Sequence, residues 1–185
     1  MNTAVTSKEE ILKTSRELIG RQGWSGVNIR SVAAACGVSV GSIYNYFDSK
    51  GALVEATVES VWREIFHRPK QDAPFENIQD CILWMYGQME QGSRKYPGFF
   101  ALHSLGFLGE EKPQGRRRMR QTWQHILEGL RLVLQRDRAI RPDAFTPSFT
   151  LEQCADVLFS FMLSALLRQD YDPAPVLEII RRTLY

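Results

Sequence analysis

The side chains best suited to recognise another molecule lie in one short stretch, GVSVGSIYNYFDSK, at residues 37–50. Serine, tyrosine and asparagine supply hydrogen-bond donors and acceptors there, and Lys50 adds a positive charge. The small residues at 39–42 let the backbone approach a partner closely, whereas each tyrosine carries its hydroxyl on a rigid arm. This chemistry suits hydrogen bonding to the base edges and phosphates of nucleic acid.

The elements around this stretch predict how it is presented. Asn28 can cap a short helix that runs to Cys36, and Gly37 can take the left-handed conformation that ends it. Ser39 can cap a second short helix at about 40–46. Two short helices joined by a tight glycine turn form the helix-turn-helix pattern, whose second helix enters the DNA major groove. The alternative is a helical hairpin that merely carries surface tyrosines.

The exposed side of the second short helix has two kinds of group. Ser42 can donate or accept a hydrogen bond at a base edge, and Val40 can contact a thymine methyl group. Tyr44 and Tyr46 can reach phosphates, and Lys50 adds a charge and free N–H groups at the start of the next helix.

A longer run, NIRSVAAACGVSVGSIYNYFDSKGAL, resembles the DNA-binding signature of the tetracycline-repressor (TetR) family of one-component regulators. The likeness covers about residues 8–55, including ILKTSRELIGRQGW and the ending YxYFxSKxxL. Beyond residue 70 it rests only on length and helix layout. The resemblance implies a ligand-responsive regulator with a phosphate contact from Asn28 or Arg30, base contacts from Val40, Gly41 and Ser42, and phosphate contacts from Tyr44, Tyr46 and Lys50. Ser39 and Asn45, on the exposed side of the second short helix, complete the predicted DNA-binding set.

Three positions depart from the pattern of that family. Asn28 stands where threonine is common, so it still caps a helix but removes a hydroxyl–phosphate contact. Asn45 stands where histidine is frequent, and Gly51 replaces a usual acidic residue, which is expected to loosen the start of the following helix. These departures leave the operator sequence unpredictable.

Composition limits the class of protein. The chain has 185 residues, 44% of them apolar, and its net charge of +2 lies wholly in the first 50 residues. The N-terminus lacks the apolar core of a signal peptide, and no apolar run approaches the ~20 residues of a membrane span. The three cysteines are scattered, which favours buried thiols in a reducing compartment. We therefore expect a cytoplasmic protein without a cofactor or metal.

Helical periodicity runs through the whole chain and predicts an all-α fold of about nine helices. We expect a three-helix module at 1–50 and a connector helix at 50–67. The polar stretch PKQDAP, at 69–74, marks the boundary between these elements and the rest of the chain. We expect residues 68–185 to form a helical ligand-binding and dimerisation domain. The helices expected around these features lie at about 7–22, 28–36, 40–46, 50–67, 75–95, 97–108, 114–137, 149–168 and 173–184.

Aromatic and sulfur side chains are concentrated beyond residue 75. At helical spacing they most often form a core, but they can also line an apolar cavity, and the resemblance implies a small lipophilic or aromatic inducer there. The predicted wall consists of Trp84, Met89, Phe100, His103, Phe107, Trp123 and Phe159. No histidine has a partner at metal-ligand spacing, and RRRMR at 116–120 favours a solvated helix face over an anion site.

The last two helices are more apolar than one buried face requires, which predicts a dimer interface of two helices from each subunit. Its predicted residues are Leu151, Ala155, Leu158, Met162, Ala165, Leu166, Leu177, Ile180 and Leu184. A two-fold dimer places two copies of the second short helix about one DNA turn apart, so the operator should be pseudo-palindromic.

The two classes of function to compare are a transcriptional regulator and an enzyme. The favoured one is a homodimeric repressor that a small inducer releases from double-stranded DNA; an activator, or a regulator that acts through a protein partner, is the alternative. An enzyme is disfavoured because the sequence contains no nucleophile–base pair, no metal-binding helix signature and no phosphate-binding glycine loop.

Overall fold

The computed structural model describes residues 6–67, 75–100 and 113–185, with only the helical backbone described at 113–122. In these ranges the chain forms eight α-helices, a single 3-10 turn and no strand, which confirms the predicted all-α class. Most of the helix expected at 97–108 lies outside the described residues. The helices are α1 (Lys8–Gln22), α2 (Ile29–Ala35), α3 (Val40–Tyr44), α4 (Lys50–Ile65), α5 (Ile78–Lys95), α6 (Pro113–Arg136), α7 (Leu151–Arg168) and α8 (Ala174–Thr183). None of the described helices is long and apolar enough to cross a membrane.

The chain divides into two compact units. Unit 1 contains residues 1–65 together with 93–99, and unit 2 contains 66–92 and 100–185. The sequence placed the connector helix outside the first module and the boundary at residue 68. In the structure, α4 belongs to unit 1, and the end of α5 joins it. Hydrophobic periodicity along α5 does not reveal this because the association is tertiary.

Local hydrogen bonds fix the helix starts of unit 1. The Ser7 Oγ accepts from the Glu10 N–H at 3.1 Å, and the Ser39 Oγ accepts from the Ser42 N–H at 3.1 Å. Asn28 and Ser31 form a reciprocal capping box at the start of α2. These polar residues satisfy N–H groups that the first turn of a helix leaves without partners.

Burial of one apolar side of each short helix holds unit 1 together. α3 has only five residues, too few to be a stable helix alone. Its Ile43 is fully buried, as is Val32 of α2. The core of this unit includes Ile11, Leu18, Ile19, Val27, Ile29, Val32, Ala33, Ile43, Phe47, Leu53, Val58, Val61 and Trp62.

Unit 2 is a helical core in which α6 packs against α7. The rings of Trp123 and Phe159 meet edge to face with centroids 5.2 Å apart. Thr150 begins α7 through a capping box with Gln153. The apolar side of α7 then contributes Ala155, Leu158, Phe159, Met162, Ala165 and Leu166 to the buried core.

Asp137 is the one charged residue in the buried set of the described chain, at 7% exposure. One carboxylate oxygen accepts from the Ile78 N–H at 2.9 Å and from the Tyr185 hydroxyl. The other accepts from the Ala139 N–H at 3.0 Å. The carboxylate thus caps the start of α5 from a residue 59 positions away.

We expect Asp137→Ala to destabilise the protein by about 3 kcal/mol, because buried donors lose a charged acceptor. Chemical denaturation followed by circular dichroism measures the change. Asp156→Ala is the control, since that side chain is 58% exposed and pairs with Arg131 only at 3.8 Å. Its effect should stay below about 1 kcal/mol. Equal effects of the two variants would contradict the capping role of Asp137.

Candidate nucleic-acid interface

A hydrogen-bonded turn sets the geometry between α2 and α3. The Gly37 N–H donates to the Ala34 carbonyl at 3.1 Å, and the Val38 N–H donates to the Ala33 carbonyl at 3.0 Å. Gly37 has φ of 67°, a left-handed conformation that favours glycine. Only four residues, 36–39, separate the two helices, so α3 leaves α2 at a fixed angle with Ile43 facing inward.

The outer side of α3 is exposed and carries the predicted contact residues. Val40, Tyr44 and Tyr46 are 40%, 48% and 40% exposed, respectively, although all three are large hydrophobic or aromatic side chains. The structure brings the predicted DNA-binding residues onto unit 1. Arg30, Ser39, Gly41, Asn45 and Lys50 are exposed, and Asn28 and Ser42 are half-buried.

Two of these residues also have structural roles. The Asn28 Oδ1 accepts from the N–H groups of Arg30 and Ser31, both at 3.0 Å, so a contact from Asn28 to DNA has to use its amide nitrogen. The Ser39 Oγ forms a 2.9 Å hydrogen bond with the Ser42 Oγ as well as capping α3. The half-buried Ser42 hydroxyl is therefore held against the Ser39 hydroxyl.

The start of α4 adds a second polar element to this surface. The Ser49 Oγ accepts from the Ala52 N–H at 3.1 Å, so serine caps the helix and Lys50 is its first residue. A Cβ atom added at Gly51 would come no closer than 3.6 Å to the Ser49 Oγ. The positive end of the helix dipole and Lys50 therefore occupy the same position, which favours phosphate.

Tyr46 makes a contact that sequence reasoning missed. Its hydroxyl donates to the Thr6 carbonyl at 2.5 Å, across 40 residues of chain. Next to it, the Lys8 Nζ lies 5.7 Å from the centroid of the Phe47 ring. The start of α1 is thus fixed beside the end of α3. No local pattern signals such a contact, because both partners are common surface residues.

The residues predicted to form a ligand cavity lie in unit 2 where they are described. Met89, Phe100 and Phe159 are buried, and Trp123 contacts Phe159. Trp84 contacts the rings of Phe66 and Phe75, with centroids 6.3 and 5.5 Å away. His103 and Phe107 lie outside the described residues. The wall of a cavity in this unit remains a prediction.

The structure separates the predicted dimer residues into two groups. Ala155, Leu158, Met162, Ala165, Leu166, Ile180 and Leu184 are buried within the subunit itself, whereas Leu151 and Leu177 are partly exposed. The apolar side chains that α7 and α8 expose to solvent are Val157, Leu167 and Ile179. The sequence pattern of α7 and α8 pointed mainly to their buried sides, because the large apolar side chains that form the pattern pack in the hydrophobic core.

A metal centre or a reactive thiol would be another kind of functional site in the described parts of the chain. The searched residues contain no group of three or more His, Cys, Asp or Glu side chains placed to hold a metal ion. Burial raises the pKa of the Cys154 thiol to about 11, so this thiol is a weak nucleophile at neutral pH.

A glycine turn between two short capped helices, with the outer side of the second one exposed, defines a helix-turn-helix protein. Known sequences agree with this class: residues 11–57 match the family described as bacterial regulatory proteins, tetR family. The match runs from α1 into α4, so this part of the chain is similar to that family.

Individual relatives extend the likeness along the chain. An uncharacterised HTH-type transcriptional regulator of Lactococcus lactis is 25% identical over 91 residues, which cover 46% of each chain. This chain thus spans about half the length of that relative. The nucleoid occlusion factor SlmA of Edwardsiella ictaluri is 26% identical over 98% of this chain and 93% of its own.

The solved structure of the transcriptional regulator FadR from Bacillus subtilis, in complex with stearoyl-CoA, has the same fold. Its TM-score is 0.62, over 97% of this chain and 100% of that one, at 14% sequence identity. At this identity the likeness shows the fold alone.

We expect Tyr46→Phe to lower the free energy of unfolding by about 1 kcal/mol, because the hydrogen bond to the Thr6 carbonyl is lost. Tyr44→Phe is the matched control, because Tyr44 is an exposed tyrosine two residues earlier, and it should leave stability unchanged. Urea denaturation monitored by fluorescence compares the two. Identical unfolding midpoints for both variants would mean that Tyr46 does not hold the start of α1.

Proposed function

We propose that the protein is a ligand-responsive transcriptional regulator that binds operator DNA as a homodimer through α3 and the start of α4. The observation that carries this proposal is the exposed outer side of α3, held by a buried inner side and a glycine turn. A side that presents Val40, Gly41 and Tyr44 to solvent has no role in the core of unit 1.

The contacts divide into two groups by their chemistry. Val40, Gly41 and Ser42, at the first turn of α3, approach base edges and carry the sequence preference. Tyr44 and Lys50 lie farther along and contact phosphates, which fixes the register of the protein without reading sequence. Tyr46 supports this group by holding the start of α1.

Dimerisation would use the exposed side of α7 together with α8. Along α7, Val157, Ser160, Ser164 and Leu167 recur every three or four residues on the exposed side, and Ile179 of α8 is also exposed. Small serines between two apolar residues allow close approach of a second helix. A two-fold interface of this kind places two copies of α3 on successive major grooves, so the operator is pseudo-palindromic.

The ligand in this proposal is a small lipophilic or aromatic molecule that binds unit 2. Support comes from the aromatic and methionine side chains of that unit and from the FadR protein of the same fold, crystallised with stearoyl-CoA. Repression is the simplest mode of action: the ligand prefers a state of the dimer in which the two α3 helices no longer fit the operator. It releases DNA only to the extent of that preference.

A regulator that acts through a protein partner is the second candidate. The relative that aligns over nearly the whole chain is named a nucleoid occlusion factor and not a transcriptional regulator, which is the reason to test a role other than direct repression. Both candidates bind DNA through α3, and a transcription assay separates them. A repressor lowers transcription from a promoter that contains its site in a purified system, whereas the alternative has no effect until another protein is added.

The first test is selection of duplexes from a random library, followed by affinity measurements on the recovered site across salt concentrations. We expect a pseudo-palindrome and a steep salt dependence, with a slope of roughly −0.9 per neutralised phosphate. Lys50→Ala should weaken binding to all duplexes and reduce the slope by about 1. Lys13→Ala is the matched control, because Lys13 is exposed on α1 and pairs with Glu10 at 3.9 Å. Equal slopes for both variants would contradict this placement of DNA.

Gly41→Ala tests the base-reading side without disturbing the fold. A Cβ atom at this position would meet only the Ser39 Oγ, at 3.7 Å, so the free protein accommodates it. We expect unchanged stability and a loss of operator affinity of roughly tenfold or more, since an added methyl group obstructs approach to the bases. Unchanged affinity for the selected site would show that the start of α3 does not lie against base edges.

The dimer surface can be tested with one charged substitution. Val157→Asp should increase the dimer dissociation constant roughly tenfold or more, because two-fold symmetry brings both copies to the same buried patch. Leu83→Asp, at a residue of α5 that is 53% exposed, is the control and should leave the dimer intact. Sedimentation velocity reports both. A Val157→Asp protein that stays dimeric would exclude this face.

A further inference from the structure

Glu64, in the last turn of α4, accepts hydrogen bonds or ion pairs from three other side chains. The Arg16 Nε approaches it from α1, the Lys95 Nζ approaches it from the end of α5, and the Tyr96 hydroxyl donates to it at 2.9 Å. One carboxylate therefore joins three stretches of unit 1 that are remote in sequence. By contrast, the ion pair between Arg63 and Glu59, at 2.6 Å, stays within α4.

The protonation states of these groups agree with their hydrogen bonds. Burial opposes ionisation of Glu64, but the bonds from Lys95 and Tyr96 and the Arg16 charge outweigh it, so its pKa lies below the usual value. Burial and the bond to Glu64 raise the pKa of Tyr96, which remains a protonated donor at neutral pH. Glu64 is thus a charged acceptor with charged and neutral donors around it.

Apolar contacts hold the same segment, residues 93–99, against unit 1. The Phe99 ring is fully buried, with the rings of Trp24 and Trp62 at centroid distances of 6.1 and 6.0 Å. α1 also approaches the backbone of this segment, since a Cβ atom added at Gly20 would lie 3.4 Å from the Lys95 carbonyl oxygen. Two kinds of contact, ionic and aromatic, therefore dock the segment.

The segment at residues 93–99 begins within α5, and α5 is shared between the two units. Residues 78–92 of α5 belong to unit 2, whereas its last three residues belong to unit 1. A rearrangement of α5 in unit 2 is therefore transmitted along a continuous helix to the contacts of Glu64. The chain also passes from unit 1 to unit 2 directly after α4, between Ile65 and Phe66.

α1 connects these contacts to the DNA-binding side of the unit. Its first residues lie at the Tyr46–Thr6 hydrogen bond beside α3, and Arg16 and Gly20 lie farther along it, at the docked segment. The 15 residues of α1 span roughly 22 Å at the rise of an α-helix. A shift of one end of this rigid element displaces the other.

We propose that Glu64 is a positioning residue that latches residues 93–99 to α1, and that release of this latch is how a change in unit 2 weakens DNA binding by α3. The inference rests on the proposed function and names its regulatory contact. Coupling between two sites is reciprocal. DNA bound at α3 must then strengthen docking of residues 93–99.

The test is hydrogen–deuterium exchange of the full-length protein with and without a saturating concentration of the selected duplex, read on peptides that cover residues 93–99. We expect the duplex to slow exchange there by roughly tenfold in the wild-type protein, a coupling within the usual range. Glu64→Gln should abolish that slowing. Glu59→Gln, which neutralises a carboxylate five residues earlier on the same helix, should retain it.

The outcomes distinguish the latch from the proposed function. A wild-type protein that binds no duplex overturns the proposed function, and the latch with it. A protein that binds the duplex without a change at residues 93–99, or a Glu64→Gln variant that keeps the full slowing, overturns the latch alone.

A second variant covers the case in which Glu64→Gln does not fold, which thermal unfolding reveals. Lys95→Gln removes one ionic partner whose side chain is 62% exposed, so the fold depends on it little. We expect it to reduce the slowing at residues 93–99 at least severalfold, with Lys13→Gln as the control, since Lys13 is exposed on α1 and pairs with Glu10 of the same helix. Equal slowing in Lys95→Gln and Lys13→Gln would overturn the latch.

Discussion

The burial of Ile43 is the constraint on which the DNA-binding side depends. A helix of five residues does not form by itself, and α3 exists because its inner side is fixed in the core of unit 1. Burial of one side leaves the opposite side exposed, and that side carries Val40 and Tyr44. The serine cap and the glycine turn then fix where the helix begins, so a recognition surface results from packing and two local hydrogen-bond motifs.

Unit 1 is larger than a helix-turn-helix alone, and its additional parts make it a candidate for regulation. Residues 93–99 are docked on it by Phe99 among tryptophans and by Tyr96 at a charged carboxylate. Exposed ion pairs contribute little to stability, and Glu64 is only partly buried. A contact of modest strength suits a switch, because a ligand has to offset only a small free-energy difference to release it.

In unit 2, a buried carboxylate caps a helix, and apolar side chains form the core. Asp137 satisfies the first N–H of α5 from the end of α6, so the order of helices along the chain is reinforced by a long-range cap. The apolar side of α7 is used within the subunit, where Ala155 and Met162 are almost fully buried. The proposed dimer would therefore use the narrower exposed stripe with Val157 and Leu167. An apolar helix in the sequence does not show which of its side chains remain available to a partner.

The sequence by itself determined the helical class, the helix starts of unit 1 and the composition of the recognition helix, because periodicity, caps and the glycine turn are local. Asn28, Gly37 and Ser39 are in the roles that their side chains predict. Only the tertiary structure decided that Tyr46 holds Thr6, that Glu64 joins α1 to residues 93–99, and which side of α7 is buried. These features pair residues tens of positions apart or divide an apolar helix between core and surface. Local pattern carries no information about such partners, because the free energy of these contacts exists only once the chain has folded.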